Sequence, residues 1–163
     1  MKNTETEKVK VLLIGIGNSG RSDDGLGWMF AEMASRFSQI DVEFRYQLQI
    51  EDAELVCKYD TVFFADACHT ALPNGFEMKR IKAARHFFYS SHLQSPETIL
   101  YLAKELYTKS PVAYTIAIEG LHWELGTVVS DEANIHLQSA FSYFRKKLIR
   151  IFNSGLAQHQ RCD

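Results

Sequence analysis

The sequence predicts an α/β protein, a three-layer αβα sandwich with a twisted, largely parallel sheet of about five strands. A continuous apolar run over residues 9–16 ends in glycine, which is typical of a central strand covered on both faces. Further strand-like segments then alternate with segments of helical periodicity, and this alternation is typical of a parallel sheet between two helical layers. Such sheets bind their ligands at the carboxyl ends of the strands.

Local signals define the individual elements. Ser95 is suited to cap a helix, Pro96 to occupy its first turn, and Glu97 to face the positive end of its dipole. Ser130 and the two acidic residues after it open a last, long helix in the same way. The predicted strands are residues 9–16, 42–48, 61–67, 76–81 and 112–118, and the other predicted helices cover residues 24–37 and 51–58.

The composition restricts the class of protein. At 163 residues, 46% hydrophobic and 23% charged with a net charge of -2, the chain predicts one domain over residues 1–163 and has no Lys/Arg excess for nucleic acid. Its three cysteines show no CxxC spacing, which favours a reducing compartment. We expect a cytoplasmic monomer with neither a nucleic-acid nor a membrane partner, because no apolar run is long enough to span a bilayer.

The GIGNSG segment at residues 15–20 matches the GxGxxG pattern of dinucleotide-binding loops, after a strand and before a helix. The pyrophosphate would lie at the helix N-terminus, where this sequence has Asp23 and Asp24. Two like charges about 4 Å apart repel by roughly 4 kcal/mol at an effective dielectric of 20, so the pair disfavours an anion. A carboxylate pair suits a cation better, although either aspartate could simply cap the helix.

The GIGN segment at residues 15–18 is followed by two aspartates and two glycines in DDGLG at residues 23–27, and this combination resembles the N-terminal signature of the hydrogenase maturation proteases. The resemblance to that family extends over residues 9–149. The VFFADA segment resembles its third strand, and His92-Leu93 ahead of a helix resembles its histidine segment. The remaining matches are Gln47-Leu48 with Glu51 and Ala53, and the IAIEG segment at residues 116–120 with Gly126 and Ser130.

The resemblance implies an endopeptidase that removes the C-terminal extension of a [NiFe]-hydrogenase large-subunit precursor after nickel insertion. It implies that Asp24, Asp66 and His92 are both the nickel ligands and the catalytic residues, with the nickel supplied by the precursor. The predicted element order permits this, because each of the three follows or ends a strand at the carboxyl edge of the sheet. Two carboxylates and one imidazole leave coordination positions open and suit a borderline divalent metal.

Alternatives stay open at each position. Hydrogen bonds from backbone N–H groups could satisfy Asp66, His92 could be a polar loop residue, and His69 is a rival ligand near Asp66. Cys68 beside His69 invites a cysteine-protease hypothesis, which is disfavoured because adjacent residues on a strand point to opposite faces. Two other functions also remain: a noncatalytic checkpoint that binds the nickel-loaded precursor without cutting it, and a dinucleotide-binding module.

Overall fold

The structure is a computed structural model that describes residues 8–86 and 94–159, with side chains up to residue 154. The described part contains five strands and four helices. The strands are β1 (Val11–Ile16), β2 (Asp41–Arg45), β3 (Thr61–Cys68), β4 (Phe76–Ile81) and β5 (Val112–Glu119), and the helices are α1 (Leu26–Ala34), α2 (Asp52–Val56), α3 (Pro96–Tyr107) and α4 (Asp131–His159). A 3-10 turn, Ser22–Gly25, leads into α1.

The strands form one sheet in the order β2-β1-β3-β5-β4. Four of them run parallel, and β4 pairs antiparallel with β5. The predicted largely parallel five-stranded sheet is therefore confirmed. Strand β1 leads to β2 on one side and has β3 on its other side, so the chain changes direction across the sheet between β1 and β3. Parallel sheets open a crevice at the carboxyl ends of the strands at such a point.

Two hydrophobic cores cover the faces of the sheet, as a three-layer sandwich requires. Helices α1 and α4 enclose the first core, with Leu13 of β1 and Phe63 of β3. Helices α2 and α3 enclose the second core, with Leu12 and Phe64. Neighbouring residues of β1 and β3 thus enter opposite cores, which explains why both segments are continuously apolar.

Most predicted ranges differ from the observed ones by one or two residues at an end, and two elements differ more. The strand predicted for residues 42–48 ends at Arg45, because the buried carboxylate of Asp52 turns the chain. Asp52 accepts hydrogen bonds from Arg45 Nε at 3.0 Å and from the Gln49 backbone N–H at 2.9 Å. The helix predicted from residue 24 begins at Leu26, after the 3-10 turn.

None of the helices in the described ranges is both long and apolar enough to cross a membrane. The longest, α4, instead has an amphipathic pattern. Leu137 and Phe144 are buried in the first core, whereas Ile135 is 65% exposed. This helix therefore contributes one face to the core and presents its other face to solvent.

Helix α1 lies directly on the backbone of the sheet at the carboxyl edge. A Cβ atom at Gly27 would collide with the Ile16 carbonyl oxygen and would lie 2.5 Å from the Ala65 carbonyl oxygen. Gly15 lies beneath the same helix, and a Cβ there would collide with the Gly27 carbonyl oxygen. These glycines allow the start of α1, and the turn before it, to approach the ends of β1 and β3.

We predict that Gly27→Ala reduces the free energy of unfolding by about 1 to 3 kcal/mol, because the added methyl group must push α1 away from two carbonyl groups. Chemical denaturation measures this change. The matched control is Gly20→Ala, whose Cβ meets only the movable Asn18 Oδ1, at 3.2 Å. Equal stabilities of the two variants would contradict the close approach of α1.

Candidate functional site

The carboxyl ends of β1 and β3 bring two acidic side chains into electrostatic contact. Asp66 lies near the end of β3, and Asp24 lies in the 3-10 turn that follows β1. Burial, with a smaller contribution from the negative charge of Asp24, raises the pKa of Asp66 to about 7, against the lowering effect of a hydrogen bond from the Ala67 backbone N–H. The structure therefore places Asp24 and Asp66 in one acidic site at the crevice between β1 and β3.

Asp66 lies on the face of the sheet that α2 and α3 cover. Val62 and Phe64, four and two residues earlier in β3, belong to the core of that face. Because successive side chains of a strand point to opposite faces of the sheet, the Asp66 side chain points to the same face as those of Val62 and Phe64. The third predicted ligand, His92, lies outside the described residues, and its assignment to the site stays a prediction.

The rival ligand His69 has another contact. Its ring stacks on the Trp123 ring, with centroids 3.5 Å apart and an angle of 24° between the planes. Within residues 8–86 and 94–154, no three His, Cys, Asp or Glu side chains form a group that could hold a metal ion. His69 therefore does not complete a three-residue metal group with Asp24 and Asp66.

Backbone hydrogen bonds of the glycine loop hold Asp24 in place. The Asn18 N–H donates to the Asp24 carbonyl oxygen at 3.0 Å, and the Asp24 N–H donates to the Arg21 carbonyl oxygen at 3.0 Å. Gly17 has φ +140°, and a Cβ there would collide with the Asp24 carbonyl oxygen. The Asn18 side chain accepts the Gly20 N–H at 2.9 Å, so Asn18 orients Asp24 through its backbone and closes the loop with its side chain.

Asp23 has a role that the sequence did not indicate. Neither the 3-10 turn nor α1 has a side-chain cap, so the capping hypothesis is wrong for both aspartates. The Asp23 side chain is fully buried and accepts the backbone N–H groups of Leu121, His122 and Ser130 at 2.8 to 2.9 Å, together with the Ser130 hydroxyl at 2.8 Å. The carboxylate thereby joins the turn before α1 to the loop that leads into α4.

The hydrogen bonds of Asp23 also set its protonation. Burial alone would raise its pKa, but the donors from Ser130, His122 and Leu121 outweigh burial and lower the pKa below its ordinary value. Asp23 is therefore an ion of structural importance. The sequence shows only two adjacent aspartates at residues 23 and 24. It does not show this structural role, because the groups that donate to Asp23 lie about a hundred residues away along the chain.

The thiol of Cys68 does not have the environment of a nucleophile. Burial raises its pKa, and the nearby carboxylates of Glu119 and Asp66 raise it further, which disfavours the reactive thiolate. Its Sγ donates to the Thr70 carbonyl oxygen at 3.5 Å. The cysteine-protease hypothesis for Cys68 is therefore disfavoured by the structure as well.

We predict that Asp66→Asn makes the protein more stable at pH 8 but not at pH 4. An acid whose pKa rises from 3.8 to about 7 on folding contributes most to stability below pH 3.8, and this contribution is lost as the pH rises to about 7. The variant should gain on the order of 2 kcal/mol at pH 8, after a discount for partial exposure. Thermal unfolding across this range measures the gain, and the exposed Glu105→Gln is the control. A stability difference independent of pH would disprove the raised pKa.

We predict that Asp23→Ala lowers the free energy of unfolding by about 3 kcal/mol or more, because several buried donors lose their acceptor. The neighbouring Asp24→Ala should cost far less, since its side chain is partly exposed and its charge opposes that of Asp66. Because folding lowers the pKa of Asp23, its contribution is complete above the unfolded pKa and is lost as the pH falls through the folded pKa. Denaturant titrations of both variants measure the costs, and equal costs would refute the structural role of Asp23.

No known protein-family profile matches the chain, and no curated protein matches its sequence. Solved structures do match its fold. The hydrogenase maturating endopeptidase HybD from E. coli has a TM-score of 0.69 at 14% identity, over 87% of this chain and 93% of that chain. The [NiFe] hydrogenase maturation protease HycI from Thermococcus kodakarensis KOD1 has a TM-score of 0.65 at 18% identity, over 86% of this chain and 93% of that chain. The hydrogenase 2 maturation peptidase from a Thaumarchaeota archaeon has a TM-score of 0.62 at 21% identity, over 85% of this chain and 97% of that chain. The chain therefore has the fold of the solved hydrogenase maturation endopeptidases.

Proposed function

We propose that this chain is an endopeptidase that removes the C-terminal extension of a [NiFe]-hydrogenase large-subunit precursor. The observation that carries the proposal is the acidic pair Asp24 and Asp66 at the crevice between β1 and β3. The pair occurs in a fold shared with proteins that are named hydrogenase maturation endopeptidases. The segments that resemble that family supply both aspartates, so fold and motif support the same activity.

The acidic pair is suited to a cation that arrives with the substrate. Among the described residues, neither Asp24 nor Asp66 forms an ion pair with Lys, Arg or His. A partly buried carboxylate without a counter-charge is costly, and the raised pKa of Asp66 expresses that cost. Nickel already bound in the precursor would supply the missing charge, with oxygen ligands from Asp24 and Asp66 and an imidazole ligand from His92.

Asp66 is also the residue of this pair suited to proton transfer. Its pKa of about 7 belongs to the metal-free site, and a cation bound there would lower this pKa, so Asp66 would act as a carboxylate base once the nickel-loaded precursor is in place. In the proposed reaction, Asp66 accepts a proton from the water that attacks the scissile carbonyl and returns it to the leaving amine. Asp24, fixed by the glycine loop, orients the precursor at the same crevice.

We predict that Asp66→Asn and His92→Ala each reduce removal of the extension at least roughly 100-fold, because each loses a ligand or a proton-transfer group. The measurement is mass spectrometry of the large subunit from cells that lack this gene and carry each variant. Glu105→Gln, on the exposed side of α3, is the control and should restore the processed mass. Full processing by the Asp66 variant would rule out the acidic pair as the site.

We also predict that a nickel-free precursor stays uncut and binds about two to four powers of ten more weakly than the nickel-loaded form. Without the shared ion, two charge-assisted contacts of on the order of 1.5 to 3 kcal/mol each are lost. Purified protein mixed with both forms, followed by gel mobility, measures cutting. Cutting of both forms alike would leave an endopeptidase without nickel dependence, and binding without cutting would favour the noncatalytic checkpoint.

A further inference from the structure

The loop after β5, residues 120–130, is here called the strap, and it exposes apolar side chains. Leu125 is 88% exposed and Val128 is 79% exposed, more than any other large hydrophobic residue in the described part of the chain. Leu121, in the same loop, is 40% exposed. Single exposed apolar residues are common on protein surfaces, but three within eight residues indicate a surface that another molecule covers.

The strap is held by hydrogen bonds on both sides of these residues. Gly126 donates its N–H to the Gly20 carbonyl oxygen at 3.0 Å and accepts the Ser22 N–H at 2.7 Å. The buried Asp23 carboxylate holds the strap at Leu121 and again at Ser130. The apolar side chains are thus presented by an ordered backbone, and ordering that backbone costs little when a partner binds.

The strap also contacts both segments that carry the acidic pair. Its bonds to Asp23 join it to the residue beside Asp24. At β3, the Gly120 N–H donates to the Cys68 carbonyl oxygen at 3.0 Å, and Trp123 stacks on His69, three residues after Asp66. The strap is therefore continuous, through these contacts, with the two segments that carry Asp24 and Asp66.

We infer that the strap is the docking surface for the precursor, and that Leu125 and Val128 bind an apolar segment of the large subunit beside the peptide to be cut. This inference rests on the proposed function and adds the surface that selects the substrate. Continuity with the crevice favours the precursor as the occupant, because a molecule on the strap lies beside the acidic pair. The strap contains no Lys or Arg, and Glu124, its one acidic residue, lies 3.9 Å from the His122 ring, so recognition there depends on apolar contact. Asp23 is the positioning residue that holds this surface in place.

The test compares the double variant Leu125→Ser, Val128→Ser with Ile149→Ser, which removes an exposed apolar side chain from α4 far along the chain. Titration calorimetry measures the Kd for each nickel-loaded [NiFe]-hydrogenase large-subunit precursor encoded in the same genome, and a cleavage assay gives kcat and KM. We expect Kd and KM to rise at least ~10-fold in the double variant with kcat within ~2-fold, the pattern of a lost docking contact. Ile149→Ser should match the wild type.

Each outcome decides between the proposals. If the wild type cuts a precursor while the double variant keeps the wild-type Kd and KM, the docking inference is wrong and the proposed function stands. If the wild type binds without cutting, the proposed activity fails, and the Kd of the double variant still decides the role of the strap. If the wild type neither binds nor cuts any precursor, both fail.

Two further measurements test the fold of the double variant and the oligomeric state of the chain. Thermal unfolding shows whether the double variant keeps its fold, and if it does not, the single change Leu125→Lys at the most exposed position replaces it in the Kd comparison. Sedimentation velocity tests for a second copy of this chain on the strap. A wild-type dimer that the double variant loses, with unchanged precursor affinity, would overturn the inference.

Discussion

The hydrogen bonds to the buried Asp23 carboxylate are the interaction on which the carboxyl edge of the sheet depends. One side chain accepts donors from Leu121, His122 and Ser130, and so joins the turn before α1, the strap and the start of α4. A buried carboxylate is tolerated only when its lone pairs are filled in this way. The same bonds that satisfy the charge therefore fix the walls of the crevice.

The carboxyl groups of Asp23 and Asp66 have opposite electrostatic environments. Asp23 is fully buried and stabilised as an ion, with its pKa lowered by backbone donors. Burial and the charge of the nearby Asp24 raise the pKa of Asp66 to about 7. Environments that separate the pKa values of neighbouring carboxyl groups are typical of sites where one group is structural and another takes part in chemistry.

The sequence predicted the features that depend on local pattern. The continuous apolar runs of β1 and β3 identified strands buried on both faces, and the position of Asp66 at the end of β3 indicated the crevice. The Ser95 cap of α3 is confirmed, since its Oγ accepts the Thr98 N–H at 3.2 Å. Such features depend on the alternation of side chains and on hydrogen bonds between residues close together along the chain, so they can be predicted from the sequence.

The features that the sequence did not predict depend on residues distant along the chain. Asp23 was interpreted as a cap because its donors from the strap cannot be recognised before the fold brings them together. Strand β2 ends at Arg45, before the predicted end at residue 48, because Asp52 forms an ion pair with Arg45. The alternation of apolar and polar residues does not reveal this ion pair. The nickel-binding role of His92 stays a prediction, because that residue lies outside the described part of the chain.

The most direct test of the central claim, that Asp24, Asp66 and His92 hold one divalent ion, is anomalous diffraction from crystals of this protein soaked in a nickel salt. The account predicts a single strong peak at direct coordination distance, roughly 2 Å, from carboxylate oxygens of Asp24 and Asp66 and from an imidazole nitrogen of His92. A peak bound by His69 in place of His92, or nickel bound away from both aspartates, would contradict it.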